Sequence, residues 1–170
     1  SGWRHLYRVS RDGKEIVPVT KGDFDYIQPV GTDLQKGLVY FIASPENYTQ
    51  RYLYSANLFG KGEVKRLSPE NQPGQHRYNM SPTGKWAVHT YSNSVTPPVT
   101  DMVSFPKNQS VRILEDNAEA KKQYDALGLN PKEFVKARSG DLLLDVCMIK
   151  PVNFDPSKKY PVIIEVYGEP

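Results

Sequence analysis

The chain has 170 residues, of which 38% are hydrophobic and 24% are charged, and its formal net charge is +3. This length and composition fit one folded domain, or parts of two, and exclude an intrinsically disordered chain. The basic residues do not form the basic and aromatic cluster of a nucleic-acid groove, no apolar run is long enough to span a membrane, and the single Cys147 excludes an intrachain disulfide.

The first predicted element is a β-hairpin near the amino terminus. Residues 6–10 alternate apolar and polar side chains, and residues 15–20 supply the return strand. The dipeptide Asp12-Gly13 stands between them, and Asp-Gly is a strong signal for a tight hairpin turn. The pattern therefore predicts two antiparallel strands.

This hairpin pattern recurs along the chain. Leu6-Tyr7 is followed 47 residues later by Leu53-Tyr54, within a predicted strand at residues 52–57 that has its return strand at residues 63–68. A weaker third copy and two further strands are also predicted. The copy occupies residues 101–105 and 110–114, and the two strands occupy residues 39–43 and 86–91.

A period of 40 to 50 residues with about four short strands per period is typical of a β-propeller. Residues 1–115 are accordingly predicted to form about three antiparallel blades of a partial propeller, in a chain that is mainly β. A β-sandwich whose hairpins resemble one another by chance is the alternative.

A short helix is predicted after the third copy. Asp116 and Glu119 have the spacing of a capping box, residues 120–127 follow as the helix, and Gly128 suits its carboxyl end. Residues 116–133 are interpreted as a helical linker between two domains.

The last part of the chain is predicted to be β again. Residues 142–149 form a long apolar strand, and residues 160–167 form a second run that is apolar almost throughout. Such runs are typical of strands covered on both faces, as in α/β sheets. Residues 134–170 are therefore interpreted as the truncated start of an α/β domain, and we expect the chain to be part of a longer protein.

Three segments of the chain resemble the dipeptidyl peptidase IV family and its bacterial relatives. Residues 2–7 (Gly-Trp-Arg-His-Leu-Tyr) look like the start of a propeller strand in that family. Residues 111–117 are similar to the segment that closes the propeller, and residues 157–168 are similar to the segment that begins the α/β-hydrolase domain. The three segments come in the family's order and reach both ends of the chain.

This resemblance implies a parent protein with an eight-bladed propeller followed by an α/β-hydrolase (peptidase) domain, of which the chain holds the last blades and the first strands. The implied activity is that of a serine exopeptidase with a Ser-Asp-His triad, which removes dipeptides, or tripeptides in one subfamily, after proline. The implied partners are peptides with a penultimate proline, with a homodimer as one allowed assembly. The implied location is the periplasm or cell surface of a bacterium.

The resemblance assigns a catalytic role to one residue, Tyr167. In the family, the tyrosine of this segment donates its hydroxyl to the oxyanion hole, and an oxyanion donor after an early strand suits a hydrolase of this fold. Glu169 departs from the pattern, because relatives have a small residue at that position.

The remaining motifs of an enzyme are absent from the sequence. The chain has no Gly-x-Ser-x-Gly elbow, no spacing typical of metal ligands and no phosphate loop, so no metal or cofactor is expected. His5, His76 and His89 are interpreted as structural or surface residues. The chain alone is therefore expected to be inactive. A propeller module that binds protein or glycan, and another prolyl oligopeptidase relative, remain as alternatives.

Overall fold

The computed structural model describes residues 2–166 and divides the chain into two compact units, residues 1–126 and residues 127–170. Both are built mainly from antiparallel β-strands, as the sequence predicts. The boundary between them falls inside the segment 116–133 that is expected to be a linker.

Unit 1 begins with a two-stranded hairpin of β1 (Tyr7–Val9) and β2 (Ile16–Pro18). The strands pair in the register Tyr7↔Pro18 to Val9↔Ile16, and Gly13 occupies the turn with a φ of 73°. The predicted hairpin is therefore present, although its strands are shorter than the sequence suggests.

Two four-stranded antiparallel sheets follow, each with its strands in chain order. Their first strands begin 49 residues apart, at Tyr26 and Gln75. Sheet one consists of β3 (Tyr26–Asp33), β4 (Leu38–Ala43), β5 (Tyr52–Asn57) and β6 (Lys65–Arg66), and sheet two consists of β7 (Gln75–Met80), β8 (Trp86–Ser92), β9 (Val99–Ser104) and β10 (Gln109–Glu115).

These two sheets are the repeating units that the sequence predicts, and they form a partial β-propeller. The repeated hairpins at residues 52–68 and 101–114 are the third and fourth strands of the two sheets. The hairpin β1–β2 lies one period earlier and corresponds to the second half of a preceding unit. The predicted three blades are therefore two complete sheets and one half.

Two apolar cores hold unit 1 together. The first lies between the β1–β2 segment and sheet one, where Val19 and Phe24 pack against Phe41 and Tyr54. The second lies between the two sheets, where Tyr40 and Leu53 of sheet one meet side chains of sheet two. The residues of sheet two in this second core are Tyr78, Ala87 and Val103. Because β4 and β5 contribute to both cores, they are buried on both faces.

The helix α1 (Ala118–Ala126) ends unit 1 close to where the sequence predicts it. The Ala118 N–H donates to Oδ1 of Asp116 over 2.9 Å, which satisfies one of the free amides at the amino end. Gly128 follows with a φ of 60°, the left-handed conformation expected after a helix.

Among residues 127–166, unit 2 forms one hairpin of β11 (Glu133–Ser139) and β12 (Leu142–Met148), paired without interruption. The predicted strand at residues 142–149 is thus confirmed. The predicted strand at residues 160–167 is not: residues 160–166 form no strand, and Val162, Ile163 and Ile164 are exposed. The reason is that no strand among residues 127–166 pairs with this run, and an extended segment becomes a strand only when a neighbour completes its hydrogen bonds.

Candidate functional site

The segments that connect strands come together at one end of the two sheets. Residues 44–51 join β4 to β5, residues 67–74 join β6 to β7, and residues 93–98 join β8 to β9. The carboxyl end of β10 lies at the same end. We call this surface the connector face, and residues 67–74, which cross from sheet one to sheet two, the connector.

Hydrogen bonds tie the segments of the connector face to one another. The Arg51 N–H donates to the Gly74 carbonyl over 3.0 Å, and the Tyr91 hydroxyl donates to the Pro73 carbonyl over 3.0 Å. The helix α1 is held to the same face, because the Tyr124 hydroxyl donates to the Ser94 carbonyl over 3.0 Å. The face is therefore a set of mutually supported loops, the kind of surface on which a rigid scaffold presents functional residues.

An ion pair anchors the sheet-one side of the connector. The Arg66 guanidinium lies 2.5 Å from Oε2 of Glu46, and it also donates to the Ser68 and Pro69 carbonyls. It stacks over the ring of Tyr52 at 3.7 Å from the ring centroid. Arg66 thereby fixes the start of the connector through a planar group that bonds and stacks at once.

A second arm of this cluster reaches into the core of sheet one. The Tyr54 hydroxyl donates to Oε1 of Glu46 over 3.0 Å. Burial, together with the nearby Glu46 carboxylate, raises the pKa of Tyr54. Tyr54 therefore remains a neutral phenol and a hydrogen-bond donor across the physiological range.

Behind the connector lies a buried chain of three polar side chains. His76 Nδ1 is 3.0 Å from His89 Nε2, and His89 Nδ1 is 2.8 Å from Oδ1 of Asp101. At the other end, His76 Nε2 is 2.9 Å from the Gln72 carbonyl in the connector. His76 is 1%, His89 6% and Asp101 8% exposed, so water does not compete for these contacts. We call this set the histidine chain.

Antiparallel pairing explains how the histidine chain forms. In the hairpin β7–β8 the register pairs His76 with Tyr91 and Tyr78 with His89, so the same face of both strands carries one imidazole and one phenol. The Tyr78 and His89 rings stack with centroids 4.5 Å apart. The next strand pairs Asp101 opposite His89, which brings the carboxylate to the imidazole.

Burial sets the charge of the two histidines. It lowers the pKa of His76 to about 4, because an imidazolium loses its hydration there. It also lowers the pKa of His89, although the Asp101 carboxylate opposes this effect. Both rings are consequently neutral near pH 7.

The histidine chain is not suited to nucleophilic catalysis. A Ser-His-Asp system needs a hydroxyl or thiol against the imidazole, whereas His89 contacts a second imidazole and His76 contacts a backbone carbonyl. Within residues 2–166, no group of three or more His, Cys, Asp or Glu side chains is arranged to hold a metal ion. What the histidine chain offers chemically is a series of three polar contacts at hydrogen-bond distance.

The structure describes some of the site residues considered in the sequence analysis and not others. Tyr167, the predicted oxyanion donor, and Glu169 lie outside the described residues. His5 is half-buried, with Nδ1 3.3 Å from the Thr20 hydroxyl. His76 and His89, interpreted separately from sequence as structural or surface residues, are both buried and joined. Their contact could have been found from the two His-x-Tyr tripeptides, residues 76–78 and 89–91, on either side of a tight turn.

One family model matches more than half of the chain. The sequence model for the dipeptidyl peptidase IV (DPP IV) N-terminal region matches residues 1–98. The chain belongs to this family. The match covers the hairpin β1–β2, the whole of sheet one and the first two strands of sheet two. It describes the N-terminal region, so the expectation that these are the last blades of the propeller stays a prediction.

Relatives with known folds and names agree with this assignment. The crystal structure of Porphyromonas gingivalis dipeptidyl peptidase 4 is 28% identical and superposes with a TM-score of 0.85 over 95% of this chain and 22% of its own. Two proteins of Emericella nidulans are also similar along the chain. A probable dipeptidyl-aminopeptidase B is 31% identical over 99% of the chain, and a probable dipeptidyl peptidase 4 is 28% identical over 100% of it.

The chain spans about a fifth of the length of these relatives, 19% of the first and 22% of the second. Its mainly β fold and its partial propeller are those of the dipeptidyl peptidase IV family. Within residues 2–166, no helix is both long and apolar enough to cross a membrane.

Proposed function

We propose that the chain is a non-catalytic part of a serine-type exopeptidase that releases dipeptides from peptide amino termini after proline. The observation that carries the proposal is the match to the dipeptidyl peptidase IV N-terminal region, together with a TM-score of 0.85 to a dipeptidyl peptidase 4. The names of the relatives support the exopeptidase class. The serine nucleophile, the preference for proline and release of a dipeptide rather than a tripeptide are part of the proposal.

In this proposal the propeller binds the peptide substrate and gates its access to the peptidase domain. The connector face suits that role, because its loops are fixed by Arg51, Arg66 and Tyr91 and yet carry exposed side chains. A preorganised loop surface loses less conformational entropy when it binds a peptide than a mobile one does.

Tyr167 is the residue proposed to take part in the chemistry. Its hydroxyl would donate a hydrogen bond to the oxygen of the tetrahedral intermediate, where negative charge develops. The Ser-Asp-His triad is proposed to lie elsewhere in the parent protein, because the chain contains no Gly-x-Ser-x-Gly motif.

The test is hydrolysis of a chromogenic Gly-Pro amide by the intact protein that contains this chain. Tyr167→Phe is expected to lower kcat about a hundredfold or more with little change in KM, because the lost bond forms in the transition state. Tyr160→Phe is the matched control: the Tyr160 hydroxyl accepts a hydrogen bond from the Asp155 N–H over 3.0 Å and has no proposed role in catalysis.

Equal kcat values for the Tyr167 and Tyr160 variants would remove Tyr167 from the mechanism and leave the peptidase assignment intact. A folded parent protein that hydrolyses no prolyl amide would overturn the peptidase assignment itself and favour a propeller module that binds protein or glycan. Mass measurement of the released product distinguishes dipeptide from tripeptide release.

The periplasm or cell surface of a bacterium is the proposed location, on the grounds of the resemblance alone. Fractionation of cells that produce the full-length protein tests it, with recovery in the cytoplasmic fraction as the contrary result. Sedimentation of the same full-length protein tests whether it forms a homodimer.

A further inference from the structure

The histidine chain contains three contacts, and each needs one hydrogen. The contacts join Gln72 O to His76 Nε2, His76 Nδ1 to His89 Nε2, and His89 Nδ1 to Asp101 Oδ1. Their lengths, 2.9, 3.0 and 2.8 Å, are all hydrogen-bond distances. The two ends of the chain, a backbone carbonyl and a carboxylate, are both acceptors and bring no hydrogen.

Two neutral imidazoles supply only two hydrogens, because each neutral ring carries one N–H. With both histidines neutral, one of the three contacts therefore brings two lone pairs together. The position of that contact follows from the charge of Asp101. A hydrogen bond to a carboxylate is about twice as strong as one between neutral groups, so His89 is expected to place its hydrogen on Nδ1.

The tautomer of His89 fixes that of His76. With its hydrogen on Nδ1, His89 presents a lone pair at Nε2, which accepts from Nδ1–H of His76. His76 is then left with a lone pair at Nε2, directed at the lone pairs of the Gln72 carbonyl. The contact that lacks a hydrogen is therefore the one between His76 and the connector, at the opposite end of the histidine chain from Asp101.

Neighbouring groups leave this assignment unchanged. The positive charge of Arg66, on β6, disfavours protonation of His76. Glu46 pairs with Arg66 and offsets that charge. Tyr52 of β5 lies beside His76 with ring centroids 5.8 Å apart. Burial raises the pKa of Tyr78 on β7 to about 12 and raises that of Tyr91 on β8, so neither phenol supplies a charge. Asp101, on β9, is the one carboxylate of the histidine chain.

We propose that His76 Nε2 is a proton-binding site that latches the connector: when it takes up a proton, it donates to the Gln72 carbonyl and completes all three hydrogen bonds. No covalent bond changes, and the proton comes from solvent. The protonated histidine chain holds one carboxylate and one imidazolium and is neutral overall, which offsets part of the cost of burying the imidazolium.

The bond from His76 holds the middle of the connector, between the two parts that Arg66 and Tyr91 bind. Arg66 binds the carbonyls of Ser68 and Pro69, and Tyr91 binds that of Pro73. Between them, the Gln72 carbonyl has His76 as its side-chain partner. Protonation therefore tightens the middle of a loop on the connector face. This inference stands whether or not the parent protein is a peptidase.

The first experiment is a titration of the ¹⁵N-labelled chain by NMR, from about pH 7.5 to about pH 4. We expect a pyridine-type nitrogen at His76 Nε2 at the high end and its progressive protonation toward the low end, while His89 Nδ1 stays protonated throughout. The hydrogen-exchange protection of the connector amides should rise about fivefold, the factor that one net hydrogen bond contributes. His5, which contacts the Thr20 hydroxyl and is not part of the histidine chain, is the internal control.

The second experiment uses Asp101→Asn. An asparagine amide donates from Nδ2, so it can give its hydrogen to His89 Nδ1 and reverse both tautomers. His89 Nε2–H then donates to His76, and His76 Nε2–H donates to Gln72. We expect this variant to show protonated His76 Nε2 near pH 7.5 and the connector protection that the wild type reaches only in acid.

Two results would overturn the proposal that protonation of His76 Nε2 holds the connector. One is a wild type whose His76 Nε2 already carries a hydrogen near pH 7.5. The other is connector protection that does not follow the titration of His76. Both are read from the wild type, so the inference stays testable if Asp101→Asn fails to fold.

Discussion

Sheet one and sheet two have the same strand order, but one equivalent pair of positions is aromatic in sheet one and polar in sheet two. The fourth residue of β4, Phe41, pairs with the third residue of β5, Tyr54. In sheet two the fourth residue of β8, His89, pairs with the third residue of β9, Asp101. Both pairs are buried and both face the preceding unit. Two stacked aromatic rings in one sheet thus stand where an imidazole and a carboxylate stand in the other.

The difference shows that the repeat fixes backbone pairing and burial but not the kind of contact. The aromatic pair, with centroids 6.1 Å apart, stabilises through buried area, which tolerates small changes in geometry. The polar pair at 2.8 Å depends on direction and on protonation, and it joins sheet two to the connector through His76. The polar pair therefore gives sheet two a response to pH that the aromatic pair does not give sheet one.

The largest effect is expected from emptying the aromatic position. Phe41→Ala removes a fully buried ring from the core between the β1–β2 segment and sheet one. It should lower the free energy of unfolding by about 3–5 kcal/mol, measured by urea denaturation. Leu34→Ala, at a side chain that is 79% exposed, is the control and should change stability by less than about 0.5 kcal/mol. Equal effects at the two positions would contradict the placement of this core.

The next effect is the pH dependence of the polar position. Burial lowers the pKa of His76 from 6.5 to about 4, so between these values the unfolded chain binds a proton that the folded chain does not. Stability should be complete above about pH 6.5 and should fall with pH toward about 4, by at most about 3 kcal/mol for this group.

The measurement is the free energy of unfolding as a function of pH for wild type, His76→Gln and His5→Gln. The difference between wild type and His76→Gln isolates the buried imidazole from the carboxylates that titrate in the same range. His5→Gln, which removes an imidazole outside the histidine chain, is the control variant. A stability advantage of wild type over His76→Gln that falls as pH rises above 6.5 would show that the folded chain raises the pKa of His76 and would refute the assignment.

Breaking the polar pair itself should cost less than emptying the aromatic position. Asp101→Ala removes the acceptor for His89 Nδ1–H and leaves a buried donor, which should destabilise the chain by about 1–3 kcal/mol near pH 7. In the double variant His89→Ala/Asp101→Ala the two losses should not add, because they remove one interaction. Additive losses in a double-mutant cycle would mean that the contact carries no coupling.

The last prediction concerns the turn of sheet two that contacts sheet one. Gly84 has a φ of 68°, and a Cβ there would lie 2.7 Å from the Thr32 carbonyl oxygen. Gly84→Ala should cost about 1–2 kcal/mol from the backbone conformation, and more from the clash. Gly13→Ala has a similar φ of 73° but meets nothing within 4 Å, so it reports the conformational cost alone. Thermal unfolding that shows no difference between the two would contradict the contact between the sheets.

The sequence predicted most of the strands, because side-chain alternation and turn residues are local signals. Residues 52–57 form the predicted strand with the same limits, and the strand that starts at Trp86 begins as predicted. The strand Tyr26–Asp33 was not predicted, because it contains Pro29 and Gly31, residues that weaken a strand pattern. The register shifts between Tyr26 and Gln28 and again between Pro29 and Gly31, and the second irregularity accommodates these two residues.

The site could be predicted only in part. The histidine chain depends on the register of two strand pairs, His76↔Tyr91 and His89↔Asp101. The first pair belongs to a hairpin with a tight turn, whose register the sequence could have indicated. The second pair is joined by the longer segment 93–98, and its register depends on which faces become buried. The apolar run at residues 160–166 has strand composition but no partner strand among residues 127–166. Composition alone therefore predicted a strand that the structure does not form.

The central claim is that the chain is part of an exopeptidase that recognises free amino termini. The most direct measurement is mass spectrometry of two peptides incubated with the intact protein, both beginning Gly-Pro, one with a free and one with an acetylated amino terminus. The account predicts release of Gly-Pro from the free peptide and no cleavage of the acetylated one. Equal cleavage of both peptides, or cleavage of neither, would contradict it.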